Sequence, residues 1–293
     1  MRLLPDGKRL HLQDGPIDLV LQAFGPAVEV GKAYQAAARR FVTMLDELCS
    51  ELPLLRARAV KNGLEPRERI ARRMALAVAP YAERAFITPM AAVAGAVAEE
   101  ILEAMTSAAR LVKAYVNDGG DIALHLEPGE SFAVGMVDRP DRPSLFGAAR
   151  ISWDDPIRGI ATSGWRGRSF SLGIADAVTV LAKSSAQADA AATIIANAVD
   201  LPGNPAITRT PARTLVPDSD LLDLLVTQHV GELSPEEVSR ALQAGVAVAK
   251  SLAAVGLIHS AALRLCDSTK IAGAVPAALP APQASAVRSA IHA

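Results

Sequence analysis

The pattern of apolar positions divides the chain into a helix-rich first part and a later part with many short strands. Residues 8–25 alternate polar and apolar positions around Asp14-Gly15-Pro16, which predicts a β-hairpin. From Glu29 to Leu52 the apolar residues recur at helical spacing, so we predict one helix that Pro53 ends. A second, alanine-rich helix is predicted over residues 90–108.

Short alternating runs bounded by Gly, Pro and Asp predict strands at 111–117, 121–126, 131–137, 147–152 and 175–182. Helices are predicted at 184–199, with Ser184 or Ser185 as the cap, and at 235–254, with a capping box of Ser234 and Glu237. Residues 271–293 are rich in Ala and Pro and predict a flexible tail. The mixture indicates an α+β fold. We expect one domain over residues 1–270, with mixed or antiparallel sheets and packed alanine-rich helices.

Composition narrows the classes of partner. The 293 residues carry 30 Lys and Arg against 31 Asp and Glu, and only 4% are aromatic, which gives no basic, base-stacking surface for nucleic acid. The basic stretch 56–74 is interpreted as a solvated helical face rather than a nucleic-acid patch. The uncharged stretch 85–98 is shorter than the ~20 residues of a membrane span. No signal-peptide pattern opens the sequence, so we expect a cytoplasmic protein.

Three segments carry residues that suit a nucleotide ligand. Gly119 and Gly120 lie between two aspartates of "NDGGD" and would let main-chain amides approach a phosphate or a flat ring, although the motif by itself favours a tight hairpin turn. The stretch "GIATSGWRGRSFSLG" at 159–173 combines hydroxyls and arginines that suit a diphosphate, or it is an ordinary polar loop. Asp189 and Thr193 share one helix face and could both reach Mg²⁺, although such pairs also arise by chance.

Taken in order, these segments resemble the ApbE superfamily, the FAD-dependent protein FMN transferases. That family has an N-x-GGD turn, a TSG motif followed by an aromatic residue and an arginine, and "VTV" before a helix with D-A-L-x-T. The corresponding segments here are "NDGGD" (117–121), "ATSGWRGRSF" (161–170), "AVTVLA" (177–182) and "ADAAAT" (188–193). Upstream, "MAAVAGAVAEEI" (90–101) takes the place of the family's G-x-A-K-G-Y-A-x-D helix. The resemblance spans residues 88–200 and implies a short cytoplasmic branch of the superfamily.

The resemblance also implies roles for particular residues. The implied ligands of Mg²⁺ are the side chains of Asp189 and Thr193 and a main-chain carbonyl near Val93. The implied contacts with FAD or FMN are Gly119, Gly120, Asp121, Thr162, Ser163, Gly164 and Arg168. Asp176 and Arg168 are the candidates for a catalytic role.

Two departures from the family pattern leave the activity open. Ala94 stands where the family has a lysine, and residues 169–176 replace its histidine-bearing H-I-x-D-P-x-T-G segment. One hypothesis is a Mg²⁺-dependent flavin transferase or FAD hydrolase. The second is a non-transferase binder, or an enzyme acting on a pterin or another nucleotide-like molecule in the same cleft. A structural module is the third. The helices at 90–108 and 235–263 could also pack against a second copy in a homodimer, and a protein acceptor is not identified by the sequence.

Overall fold

A computed structural model describes residues 1–61, 63, 65–137, 145–274 and 278–279. Its main element is a nine-stranded sheet in which every described strand pair is antiparallel. In sheet order the strands are β1 (Arg2–Leu3), β2 (Leu10–Asp14), β3 (Ile17–Phe24), β4 (Lys113–Asp118), β5 (Asp121–Leu126), β8 (Gly159–Ser163), β9 (Ala177–Ala182), β12 (Ser260–Leu265) and β13 (Ser268–Gly273). The α+β prediction is confirmed, and the sheets are antiparallel rather than mixed.

Two smaller sheets complete the β structure. Strands β6 (Ser131–Val137), β7 (Leu145–Ser152) and β14 (Ala278–Leu279) form one of them in the order β14-β7-β6. Strands β10 (Ile207–Pro211) and β11 (Leu225–Val230) form the other. The two sheets are antiparallel as well.

The α-helices of the described residues range from 4 to 20 residues. They are α1 (Ala27–Phe41), α2 (Met44–Ser50), α3 (Leu52–Leu55), α4 (Arg69–Val78), α5 (Val93–Ala108), α6 (Ser185–Ala198), α7 (Ala212–Leu215) and α8 (Pro235–Ala254). Two 3₁₀ turns lie at Ala79–Tyr81 and Pro89–Ala92. Among the described ranges, no helix combines the length and apolarity that crossing a membrane would require.

The alternation of side chains along the central strands separates two apolar layers. Ala161, Val178 and Val180 belong to the main core, which also contains the buried alanines of α5, α6 and α8. Ile160 and Leu181 point to the opposite face and join a second cluster with β6 and β7. The long helices therefore cover one face of the large sheet, and alanine lets them approach it closely.

Several predicted elements are confirmed. The hairpin around Gly15 is β2 and β3, and the helices predicted at 90–108, 184–199 and 235–254 are α5, α6 and α8. Ser184 accepts a hydrogen bond from the Gln187 amide, and Ser234 and Glu237 form the capping box of α8.

The single helix over Glu29–Leu52 is wrong. The chain breaks into α1 and α2 at Val42 and Thr43, where the Thr43 hydroxyl is bonded to the Arg40 and Glu47 side chains. Pro53 does not end a helix but lies in the first turn of α3, where a missing N–H costs nothing.

The stretch 56–74 becomes helical only at Arg69. Arg69 and Arg73 then pair with glutamates of α5, so this face is an intramolecular ion-pair network.

Other corrections concern strands. The predicted polar loop at 159–173 begins with β8, whose first three residues are buried, and β10 to β13 were not predicted. The strand predicted at 175–182 begins at Ala177. β13 continues to Gly273, which extends the sheet into the predicted tail, whose residues 275–277 and 280–293 lie outside the described residues.

Candidate functional site

The "NDGGD" segment is the tight turn between β4 and β5. Asp118 and Asp121 are paired across the strands, and Gly119 and Gly120 form the turn with φ of +62° and +116°. Residues other than glycine rarely adopt such backbone angles. The Asn117 side-chain oxygen accepts a hydrogen bond from the Gly120 amide at 2.8 Å. The hairpin interpretation is therefore confirmed, and the turn places two aspartates on the same face of the sheet.

A third carboxylate approaches this pair from α6. The Asp189 side chain accepts a hydrogen bond from the Gly95 amide at 3.0 Å, at the N-terminal end of α5. Asp121 accepts one from the Thr162 amide at 3.1 Å, at the end of β8. Segments separated by tens of residues in the sequence therefore meet at one place, between the β4–β5 turn and the first turns of α5 and α6.

Burial raises the pKa of all three carboxylates, and neighbouring aspartates add to the rise at Asp121 and Asp189. Burial raises the pKa of Asp118 to about 7, against the opposing effects of the Asp18 amide and Arg168. Burial also raises the pKa of Asp189 to about 7; the Gly95 and Ala94 amides oppose this rise, and the nearby Asp118 adds to it. Burial and the neighbouring Asp189 raise the pKa of Asp121 well above its usual value. The cluster favours either bound protons or a nearby cation.

The predicted metal ligands differ in how well their positions suit a shared cation. Thr193 lies one turn after Asp189 on the same face of α6 and is half-buried, as a shared cation would require. Val93 is the first residue of α5, so its carbonyl points along the helix and away from the end where Asp189 receives amides. The main-chain ligand stays a prediction.

The chemistry of these donors can be compared with the needs of Mg²⁺. Across the part of the chain that the structure describes, no group of three His, Cys, Asp or Glu side chains could hold a metal ion. Mg²⁺ commonly uses one or two carboxylates, with phosphate and water oxygens completing its shell. One carboxylate of Asp189, the hydroxyl of Thr193 and a ligand's phosphate would fit that pattern.

The "TSG" segment forms the next wall of the site. Thr162 and Ser163 end β8, and the Thr162 hydroxyl is 2.9 Å from the buried hydroxyl of Thr179 on β9. A side chain at Gly164 would lie 2.4 Å from the Asp176 carbonyl oxygen, so only glycine fits there. The backbone of this motif is thus fixed against β9 and the residues before it.

Arg168 joins the loop after this motif to the glycine turn. Its guanidinium donates to the Pro16 carbonyl at 3.3 Å, and a Cβ at Gly119 would lie 3.1 Å from its Nη1. The positive charge lowers the pKa of Asp118 against the larger effect of burial. Arg168 and the turn glycines, predicted separately as ligand contacts, are therefore neighbours.

Asp176 has a different environment. Its Oδ1 accepts from Arg166 Nε at 2.7 Å and from the Trp165 ring at 3.3 Å, and its Oδ2 accepts from the Cys266 amide at 2.6 Å. Oδ1 is thus bound by the loop that Asp176 holds in place, and Oδ2 is bound by the turn between β12 and β13. This geometry gives no support to the predicted catalytic role of Asp176.

Some residues of the site were not predicted. Gly159 must be glycine because a Cβ would lie 2.0 Å from the Ser184 carbonyl carbon, which lets α6 begin directly on β8. Asp118 was quoted within the motif but not selected, and Thr179 lies within "VTV". Asp118 and Thr179 stand next to predicted residues in the sequence, and that position could have identified them. No signal in the sequence indicates the contact of Gly159 with α6.

A family model described as AbpE bacteria matches residues 1–272. The chain belongs to this family. The match covers the whole large sheet except the last residue of β13, and it confirms the resemblance drawn from the sequence motifs.

Relatives with curated sequences are uncharacterised by name. A "UPF0280 protein" of Methanopyrus kandleri is 37% identical over 48% of this chain and 54% of its own length. One of Methanothrix thermoacetophila is 41% identical over 39% of this chain and 46% of its own length. The chain therefore spans about half the length of the curated relatives it matches.

Solved structures give a weaker likeness. The apo form of the flavinyl transferase ApbE from Pseudomonas stutzeri aligns with 94% of this chain and 97% of its own, at 11% identity and a TM-score of 0.49. At these values it supports no argument about the site.

Proposed function

We propose that the protein binds a flavin dinucleotide, FAD, together with Mg²⁺ at the site formed by the β4–β5 turn, the end of β8 and the first turns of α5 and α6. One observation carries the proposal: Asp118 and Asp121 are paired across the β4–β5 turn, and Asp189 lies close enough to raise the pKa of Asp121, beside the guanidinium of Arg168. A site that gathers anionic side chains next to a cationic one suits a cation and its anionic phosphate partner. Family membership supports the same ligand class.

The residues of the chain would have distinct tasks. Asp189 and Thr193 would hold the cation, and bound Mg²⁺ would neutralise charge on the diphosphate. Arg168 would bind a phosphate oxygen beside the turn. Gly119 and Gly120 would let the ligand approach the main chain, since they have no side chains. Thr162, held by Thr179, and Ser163 would supply hydroxyl hydrogen bonds to the nucleotide.

Transfer or hydrolysis of FMN is the reaction that this ligand would allow. An acceptor hydroxyl or a water molecule would attack the FMN phosphorus, and the bond from that phosphorus to the bridging oxygen would break, which releases AMP. In transfer, the product is an FMN ester of the acceptor; in hydrolysis, it is free FMN.

A second candidate, binding without transfer, is favoured by the segment 169–176. Ser171 is buried and hydrogen-bonded to the Asn197 side chain, and both oxygens of Asp176 accept hydrogen bonds, one from Arg166 and one from the Cys266 amide. The polar side chains that replace the family's histidine-bearing segment are thus engaged in holding structure. FAD, a pterin or another flat nucleotide-like molecule would then be bound and kept intact.

Calorimetric titration with FAD, with and without Mg²⁺, tests the proposed binding. We expect Mg²⁺ to tighten FAD binding and Asp189→Asn to weaken the Mg²⁺-dependent affinity by at least about tenfold. The matched control is Asp155→Asn. Asp155 also accepts a main-chain amide, from Ser152 at 2.7 Å, but it lies in the turn before β8, at the strand end opposite Ser163. Equal effects of the two variants, or no binding of FAD by the wild type, would refute the proposal.

Chromatography of AMP and FMN after incubation with FAD and Mg²⁺ separates the two candidates. AMP released together with free FMN indicates hydrolysis, and AMP without free FMN indicates transfer to an acceptor. FAD recovered intact from a protein that binds it supports the non-transferring candidate. Asp189→Asn should abolish any release, and Asp155→Asn should not.

A further inference from the structure

Helices α5 and α6 meet at their N-terminal ends, and each offers an amide to a carboxylate of the other. The Gly95 amide of α5 donates to Asp189 of α6 at 3.0 Å. The Ala186 amide of α6 donates to Glu99 of α5 at 2.7 Å. Because first-turn amides have no acceptor within their own helix, these two side chains satisfy them reciprocally.

The backbones touch where these bonds form. A Cβ at Gly95 would lie 2.4 Å from the Ser185 carbonyl oxygen, so no side chain separates the two helices. Gly95 and Ser185 are both buried. The two backbones are therefore in direct contact. Asp189 lies four residues after Ser185, about 6 Å along the axis of α6, so a small rotation of α6 about this contact would displace its carboxylate.

Glu99 prevents such a rotation through both of its oxygens. Oε1 accepts the Ala186 amide, and Oε2 accepts from Arg73 Nη1 of α4 at 2.5 Å. Arg73 Nη2 in turn donates to Glu103 at 2.8 Å and Glu100 at 3.2 Å. Glu99 is thus fixed by a guanidinium that is itself fixed on a third helix. Glu103 shares Arg73 with Glu99, one turn further along α5.

We propose that Glu99 is a positioning residue for Asp189: it holds the first turn of α6 against α5 and α4, so that the Asp189 carboxylate stays at the Gly95 amide and faces the ligand. The inference rests on the proposed function, in which Asp189 binds the cation. Glu99 itself does not touch the ligand. It determines the orientation of the residue that does, in the way that outer residues orient metal ligands.

Amide hydrogen exchange measures the positioning without any ligand. Glu99→Ala should lose protection at Ala186, its direct partner, and also at Gly95, whose amide is bound by Asp189. Glu103→Ala is the matched control, because it removes a carboxylate from the same helix that pairs with the same arginine. The Glu103 side chain makes no hydrogen bond to α6 in the described residues. Glu103→Ala should therefore leave both amides protected. Loss at Ala186 with unchanged protection at Gly95 would overturn the inference.

Mg²⁺ affinity, measured by competition with Mn²⁺ in electron paramagnetic resonance, is the second readout. We expect Glu99→Ala to weaken it about 10- to 100-fold and Glu103→Ala to leave it near the wild-type value. Glu99→Gln keeps an oxygen for the Ala186 amide, so it should lose less Mg²⁺ affinity than Glu99→Ala. If Glu99→Ala does not fold, Glu99→Gln is compared with the wild type instead. Wild-type affinity in a folded Glu99→Ala, or equal losses in Glu99→Gln and Glu103→Ala, would overturn the inference. If the wild type binds no Mg²⁺ while Glu99→Ala still exposes Gly95, the positioning contact stands and the proposed function fails.

Discussion

The stability of the protein should fall as the pH rises from about 5 to about 8 in the absence of divalent cations. The main cause is the burial of Asp118, which is 7% exposed and has a pKa of about 7 instead of 3.8. Between these two values the folded state keeps a proton that the unfolded chain releases. The folded state thus binds more protons, and stability declines with pH. Asp118→Asn removes the ionisable group and should reduce this decline.

The magnitude follows from the shift in pKa. A rise from 3.8 to about 7 corresponds to about 4 kcal/mol at ~1.36 kcal/mol per unit, which would be the full cost of ionising an isolated Asp118. Asp118 also raises the pKa of Asp121 and of Asp189, so these two buried carboxylates add to the decline. Groups with a lowered pKa, such as Glu47 and Glu103, contribute stability that is complete above their ordinary value of 4.5. They add no slope above about pH 5.

Urea unfolding followed by circular dichroism in chelator-treated buffer measures this dependence. Asp118→Asn should be more stable than the wild type by up to about 4 kcal/mol near pH 8, and the difference should shrink toward about pH 5. The side-chain oxygen of the introduced asparagine can still accept the hydrogen bond that the Asp18 amide donates to Asp118. Asp155→Asn is the control and should follow the wild-type slope. A wild-type stability that is flat or rising over this range would refute the raised pKa of the buried Asp118.

Three further predictions concern packing, capping and ligand binding. Gly95→Ala should cost about 1–3 kcal/mol of stability, since its Cβ would lie 2.4 Å from the Ser185 carbonyl oxygen. Gly31→Ala, in open space on α1, should instead gain about 1 kcal/mol. Thermal unfolding of both variants checks this, and equal effects would contradict it. Ser234→Ala should cost about 0.5–2 kcal/mol through loss of the α8 cap, measured by urea unfolding, and an unchanged midpoint would count against the cap. Arg168→Ala should weaken FAD binding in calorimetry because it removes the cation beside the glycine turn, and wild-type affinity would exclude Arg168 from the site.

Local signals predicted much of the fold. The capping box of Ser234 and Glu237 places α8 correctly, because caps depend on residues that are neighbours in the sequence. Gly119 and Gly120 predict the β4–β5 turn for the same reason. Where local signals were weak or misleading, the prediction was wrong. Pro53 fits a helix start as well as a stop, and residues 159–163 were absorbed into the polar loop that follows them.

The candidate site was predictable in part. Its motifs were visible as residue types, and the structure brings Asp121 to Thr162, and Arg168 to Gly119. The environment of Asp176 was not visible, because its partners include the amide of Cys266, far along the chain.

The sequence by itself determined the family and the α+β class, since both depend on composition and short-range order, and it predicted residues that could serve a nucleotide ligand. The tertiary structure alone decided that Asp118, Asp121 and Asp189 meet and that Asp176 is bound elsewhere, by Arg166 and the Cys266 amide. It also decided how Asp189 is held. Glu99 illustrates the difference: in the sequence it is one of three glutamates on the alanine-rich helix α5. Its role follows from a backbone contact between Gly95 and Ser185, 90 residues apart, which local patterns cannot express.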